Sequence, residues 1–257
     1  SQMSYGAYRV LHMTKSRLIL VLLILIPCIE IGQLLYMKII HEVLYHPAFA
    51  FFLAGMSRGH VSQTLLLWFL PLYLLIFNTD DSIQDYTIGI HKAQMVRSGR
   101  KQYLRIKMLF SFVSSSLLLA SSLAINFLLT QILFWSGEYK NGLDEFEFEN
   151  NWLFTYSMDN HYGAIFLFFF LAILMAGFAG LLGASMSLYF KDRKYAYAAT
   201  FFVWFGFVVR EKSLMFVFQP FTEYGLDMIL PIYVQVIATI SLLAMFVYWR
   251  EGRRDVL

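Results

Sequence analysis

Charge is scarce in this chain of 257 residues: Asp, Glu, Lys and Arg supply 14%, against 59% hydrophobic residues. A soluble domain of this length carries about 25% charge to solvate its surface, so that class is excluded. Disorder, which needs low hydrophobicity and high charge, is excluded more firmly. Cysteine occurs once, as Cys28, which forbids an intrachain disulfide and leaves the redox compartment unread. No Gly-Lys pair occurs anywhere. A phosphate-cradling P-loop needs a glycine directly before its lysine, so the chain is not expected to hydrolyse ATP by itself. His-Glu-x-x-His is absent too, since His41-Glu42 runs on into Val43, Leu44 and Tyr45. His41 and His46 do not share a helix face, and Pro47 interrupts any helix there; no metal is expected. Ser185, within Gly183-Ala184-Ser185-Met186, is the nearest candidate for an intramembrane nucleophile. No histidine follows it inside a span to take its proton, so no catalytic residue is assigned.

What the chain does have is long apolar runs. Six qualify as membrane crossings of roughly 20 residues each: about 18–40, 61–77, 108–134, 163–190, 196–209 and 228–249. The fifth is the shortest, with Arg210, Glu211 and Lys212 directly after it. Leu18 to Ile26 and Phe166 to Leu171 are apolar on every side, which excludes the alternation of a barrel strand and favours helices that satisfy their own backbone groups. The expected fold is therefore all-α, one integral membrane domain over residues 1–257.

Lysine and arginine orient it. Counting segments alternately, one side holds Arg9, Lys15, Arg17, Lys92, Arg97, Arg100, Lys101, Arg105, Lys107, Lys191, Arg193, Lys194, Arg250, Arg253 and Arg254, fifteen in all. The other holds five, Lys38, Arg58, Lys140, Arg210 and Lys212. The positive-inside rule then puts both termini in the cytoplasm, in a multi-pass protein of a cell membrane, bacterial inner or plasma.

Four polar or small-residue features interrupt the hydropathy. Glu30 lies in the outer half of the first span with Gln33 close by, and an ionisable group there costs a few kcal/mol unless it faces protein or water. The pair is a candidate pathway or gating contact. Ala176, Gly177, Gly180, Gly183 and Ala184 form a small-residue face suited to close helix packing. Glu145, Glu147 and Glu149 alternate with Phe146 and Phe148 in an external loop; the alternatives are a solvated loop and a collector of cationic peptides. The connection from Asn78 to Lys107 begins acidic and ends basic, as suits the dipole of a helix starting near Ser82, and Ser98-Gly99 marks a break.

At this connection the sequence resembles the ABC type-2 permeases, the membrane subunits of ABC exporters. Their linker between the second and third spans carries an acid, a glycine, apolar positions, an arginine and a basic run with an aromatic. Here those roles fall on Asp85, Gly89, Val96, Arg97, Arg100, Tyr103 and Lys107. The familiar Glu-x-x-x-Gly-Thr is Asp85-Tyr86-Thr87-Ile88-Gly89-Ile90 here, and the proline before the basic run is missing. An amphipathic N-terminal stretch with Tyr8, Arg9, Leu11, Met13 and Lys15 is similar to that family's interface helix. The segment 210–227, with Gln219-Pro220 and Gly225, is similar to its re-entrant external helices. The resemblance implies a permease subunit that docks its linker on a separate ABC ATPase chain through Asp85, Tyr86, Gly89, Ile90, Lys92, Met95 and Arg97. It also implies a second permease copy or paralogue, with ATP and Mg held by the ATPase and no cofactor in this chain. The lipid bilayer is the remaining partner, and no nucleic acid is expected. Aromatic-rich spans with little internal charge suit an apolar or amphipathic cargo, such as a peptide or lipid-like compound. A peptide-immunity or sensor protein that moves nothing is the alternative, and an intramembrane enzyme is a weaker one.

Overall fold

The computed structural model describes Tyr8, residues 12–56 and residues 58–254, and these are helical throughout apart from turns and connections. We number the α-helices α1 Thr14–His41, α2 Pro47–Ala50, α3 Val61–Leu67, α4 Leu70–Asn78, α5 Asp80–Ile88, α6 Ile90–Ser98, α7 Arg100–Leu133, α8 Trp152–Asp159, α9 His161–Tyr189, α10 Arg193–Val209 and α11 Leu226–Arg253. Among the described residues the β-structure is one isolated bridge, Tyr45 to Tyr139. Four helices, α1, α7, α9 and α11, are long and apolar enough to cross a membrane, so the chain is an α-helical membrane protein. The apolar run 61–77 is not one straight helix. It is the pair α3 and α4, bent by 46° where Trp68 and Phe69 leave the helix and Pro71 opens the next one. Helix α10 has 17 residues, about 25 Å of rise against a hydrocarbon core of about 30 Å.

Helix α9 is the axis of the bundle, packing on α7, α11, α4 and α10. Its apolar residues run all round, which marks a helix enclosed by others, and fifteen of its residues are buried. Pro27 sits inside α1 and has no N–H to give, which frees the carbonyl of Leu23 one turn back. Ser122 of α7 donates its hydroxyl to that carbonyl, so the partner helix closes the gap. Two connections fold back into the core. Phe49, Phe51 and Phe52, around α2 and the short 3-10 turn Phe52–Ala54, are fully buried. So are Leu214, Val217 and Phe218 of a second 3-10 turn, Leu214–Phe218, which packs on α9 and α11. The sequence assigned re-entry to 210–227 alone; the phenylalanines of 47–54 do the same, and Phe49 stacks on Phe221 with ring centroids 4.2 Å apart.

Residues 78–107 also differ from the expected helix starting near Ser82 and breaking at Gly99. They form two short helices, α5 and α6, and the basic run from Arg100 is already the first turns of α7. Gly89, at φ 83°, lies in the left-handed region that only glycine adopts freely. It turns the chain where apolar periodicity alone runs straight on. At the amino end, Tyr8 is helical and stacks on His12 with ring centroids 4.0 Å apart. Arg9 and Leu11 of the expected amphipathic stretch lie outside the described residues.

Candidate functional site

The end of the bundle away from the linker holds a buried carboxyl beside an open cleft. Glu30 on α1 is fully enclosed. Its Oε2 accepts from the Ser62 hydroxyl at 2.8 Å and from the Gln63 amide. The same amide nitrogen donates to the Phe52 carbonyl at 2.8 Å, which ties α3 to the re-entrant turn. Asn126 of α7 completes the corner: its Oδ1 accepts from the Phe52 N–H at 2.9 Å and its amide donates to the Pro27 carbonyl at 3.4 Å. Each buried polar group here has a partner because an unpaired one costs about 1–3 kcal/mol. The exceptions include Oε1 of Gln63 and Oε1 of Gln33, which are buried without a hydrogen-bond partner.

Outside this corner lies a cleft of about 920 Å³. Gln33, His41, His60 and Asn141 supply its polar wall, and Ile29, Leu34, Tyr36, Met37, Tyr45, Met56 and Tyr139 supply most of its apolar one. Its rim is held by paired backbone: the N–H of Tyr139 donates to Leu44 at 3.1 Å and that of His46 to Tyr139 at 2.9 Å. Gly137 permits that approach, since a Cβ there would lie 1.9 Å from the Tyr45 carbonyl. His46 accepts the Ala48 N–H on Nδ1 at 3.1 Å, capping α2. Burial first, then the charges of His161 and Lys140, push its imidazole below its ordinary value.

The other end carries the linker. Asp85 of α5 is fully buried and His91 of α6 nearly so; Tyr86 stacks on His91 at 4.4 Å, and the Lys191 ammonium sits 4.7 Å over the Tyr86 ring. Ile88, Ile90 and Val96 point into the open, Val96 at 76% exposure. Lys92 and Arg97 are exposed and Met95 and Gly89 half-buried. Asp85 is therefore enclosed, and the surface is presented by its neighbours. A hollow of about 760 Å³ runs beside it, lined by Lys15, Ile83, Gln84, Thr87, Ile88, Lys191, Asp192 and Arg193. Behind it, Glu251 near the end of α11 is 3% exposed and accepts from Arg100 at 3.3 Å and from Arg254 at 3.0 Å.

The uncharacterized protein YybM of Bacillus subtilis (strain 168) is 50% identical to this chain over 225 residues, 88% of each. The chain belongs to the YybM family. No family model matches it, and no solved structure does.

The remaining sequence-derived positions of this YybM relative divide by what they touch. Ala176, Gly177, Gly180, Gly183 and Ala184 of α9 are all buried. A Cβ on Gly180 would stand 2.0 Å from the Ser115 hydroxyl, and one on Gly177 2.5 Å from that of Ser116, so α7 lies directly against these two; Gly183 instead faces Leu75 of α4, at 3.3 Å. Ser185 donates its hydroxyl to the Leu181 carbonyl at 2.7 Å. Glu145, Glu147 and Glu149 are exposed, and Phe148 packs edge-on against Phe154 at 4.7 Å. Sequence reasoning missed the polar seam of α7. Ser111 donates to the Gly180 carbonyl at 2.8 Å, Ser114 to Asn78 at 2.6 Å, and Asn78 to Ser115 at 2.8 Å. The signal was there: Ser111, Ser115, Ser122 and Asn126 recur at spacings of one or two turns on one face of an otherwise apolar helix.

Proposed function

We propose that this chain is the membrane permease subunit of an ATP-driven exporter of the ABC type-2 kind, with six crossings and both termini in the cytoplasm. The bent pair α3–α4 and the short α10 count as the second and fifth crossings. One observation supports the reading above the others: a glycine-broken helical linker that exposes Tyr86, Ile88, Ile90 and Val96 along with the cations Lys92 and Arg97. Apolar side chains held out on an ordered element, rimmed by charge, mark a surface that another protein covers. That partner is a separate ATPase chain, which would hold ATP and Mg. A second permease copy or paralogue would complete the pathway. Closure of the ATPase dimer would move the linker, and the linker would move α4 and α7, between which it is strung. Export follows only if the cargo binds the inward-open and outward-open states differently, and the cargo suited to these spans is amphipathic or apolar.

Co-expression of the chain with its ATPase subunit tests this. Wild-type chain is expected to co-purify with the ATPase, and Ile90→Asp and Val96→Asp, both on the open surface, to abolish capture without lowering the yield of folded permease. Capture undiminished by both substitutions would overturn the linker assignment. Capture without ATP-dependent transport into inverted vesicles would favour the sensor or immunity reading.

A further inference from the structure

We propose that the groove between the first turns of α7 and the last turns of α11 seats one anionic phospholipid, with its phosphate on Arg105 and an acyl chain between the two helices. The groove holds about 480 Å³, within the range of about 300–1,000 Å³ for small-molecule sites. Its character changes along its length. Arg105 and Tyr248 stand at the end nearest the linker, and Phe112 and Leu181 at the other. Between them the buried Met108 and Ala244 form the floor, and the exposed Leu109 and Met245 form the walls. Phe112 is held edge-on against Phe178 of α9, with ring centroids 5.3 Å apart, so the apolar end is formed before anything enters it. A cation at one end of an apolar slot complements a molecule with an anionic head and a hydrocarbon tail.

The depth of the two ends fits a lipid lying in its own leaflet. Helix α7 has 34 residues, about 51 Å of rise, against a hydrocarbon core of about 30 Å. All its charged residues lie within 100–107, which puts those turns in the headgroup layer. Phe112 is seven residues further on, about 10 Å deeper, at the level of acyl chains. Arg100 is committed to Glu251, whereas Arg105 is exposed and lines the groove. Its guanidinium presents paired donors that match two phosphate oxygens at once. Lys101, one turn before it, lays its stem along the end of α11, since a Cβ on Gly252 would stand 3.4 Å from its Cγ, and adds a second positive charge at this end. Tyr248 brings a phenol from the opposite helix, and tyrosine is a residue of the headgroup layer. A second copy of this chain fits less well: a two-fold contact centred on the groove would bring Arg105 toward its own image and set one hollow against another. The proposal does not rest on the permease assignment.

The full chain, purified in detergent without any ATPase, is titrated with dioleoylphosphatidylglycerol, with dioleoylphosphatidylcholine and with glycerol 3-phosphate, and native mass spectrometry counts the molecules retained and the chains in each complex. The first phosphatidylglycerol is expected to bind about tenfold more tightly than phosphatidylcholine, the worth of one charge-assisted hydrogen bond, and glycerol 3-phosphate is expected not to be retained. Arg105→Gln should remove the preference. Arg253→Gln, which deletes the same charge from an exposed position over Trp249 at the same end, should keep it. Ala244→Leu, which fills the floor, should weaken both lipids; if it does not fold, the two arginine variants decide the matter. Equal affinity for the two lipids, equal losses in Arg105→Gln and Arg253→Gln, or undiminished binding in folded Ala244→Leu would each overturn the proposal. The second of these would mean diffuse attraction to a basic end. Retention of glycerol 3-phosphate would make the groove a phosphate site that needs no chain, and paired chains without retained lipid would make a second copy its occupant; either overturns the proposal too.

Discussion

Two glycines in the bundle have opposite surroundings, and that difference sets opposite outcomes for one added methyl group. At Gly180 a Cβ would meet the Ser115 hydroxyl at 2.0 Å and the Ser111 carbonyl at 2.7 Å, whereas at Gly206 it would meet nothing within 4 Å. Gly180→Ala must push α7 and α9 apart, and an expected loss of about 1–3 kcal/mol follows from overpacking a fitted interface. Gly206→Ala, on the open side of α10, is expected to gain up to about 1 kcal/mol from helix propensity. Thermal unfolding of both variants in one detergent checks the pair, and equal midpoints would mean that α7 and α9 are not in contact at this depth. Periodicity exposed the small-residue face at this scale but not its partner, because spacing on one helix says nothing about which other helix lies against it. Glu30 shows the same limit. Its cost in lipid required a protein environment, yet Ser62 and Gln63 lie some thirty residues away and announce themselves by no pattern.

Among the elements, the join between the linker and the last helix is the one most dependent on a single side chain. Glu251 fastens the end of α11 to Arg100, the first residue of α7, which stands directly after Gly99 at φ 79°. The carboxylate is almost fully buried, while Arg100 keeps 18% of its side-chain surface and Arg254 39%. The Arg100 contact therefore dominates and the solvated Arg254 contact counts for little. Glu251→Gln is expected to cost about 1.5–3 kcal/mol, the range for hydrogen bonds to charged groups. The loss should be local: faster amide exchange in residues 100–104 and 247–253, with α9 unchanged. Protection that stays at wild-type level in both segments would show that helix packing alone holds this end. The long helices and the break at Gly99 were legible because hydropathy and glycine mark them. The turn at Gly89 and the bend between α3 and α4 were not, since an apolar or periodic run reads the same whether the backbone under it is straight or folded.

At the level of the whole molecule the decisive element is α10, whose 17 residues span about 25 Å and make it the shortest of the proposed crossings. The fifteen-to-five division of basic residues between alternate segments holds only if α10 and the bent pair both cross. Replacing Cys28, the sole cysteine, by serine allows single reporter cysteines at exposed positions. We expect a membrane-impermeant maleimide on intact cells to label Glu147→Cys and Glu211→Cys, and to reach Val96→Cys and Asp192→Cys only after permeabilisation. Asp192 and Glu211 flank α10, so their reporters answer for that helix alone. If they label from the same side, α10 is a helix lying within one leaflet, α11 begins on the side where α9 ends, and the two termini face opposite compartments. The basic C-terminal turn, with Arg250 over Tyr189 at 4.4 Å and Arg253 over Trp249 at 4.3 Å, would then face the less basic side. Cations seated on interfacial aromatics beside anionic headgroups are stable at the cytoplasmic surface, and that preference makes labelling from opposite sides the expected result.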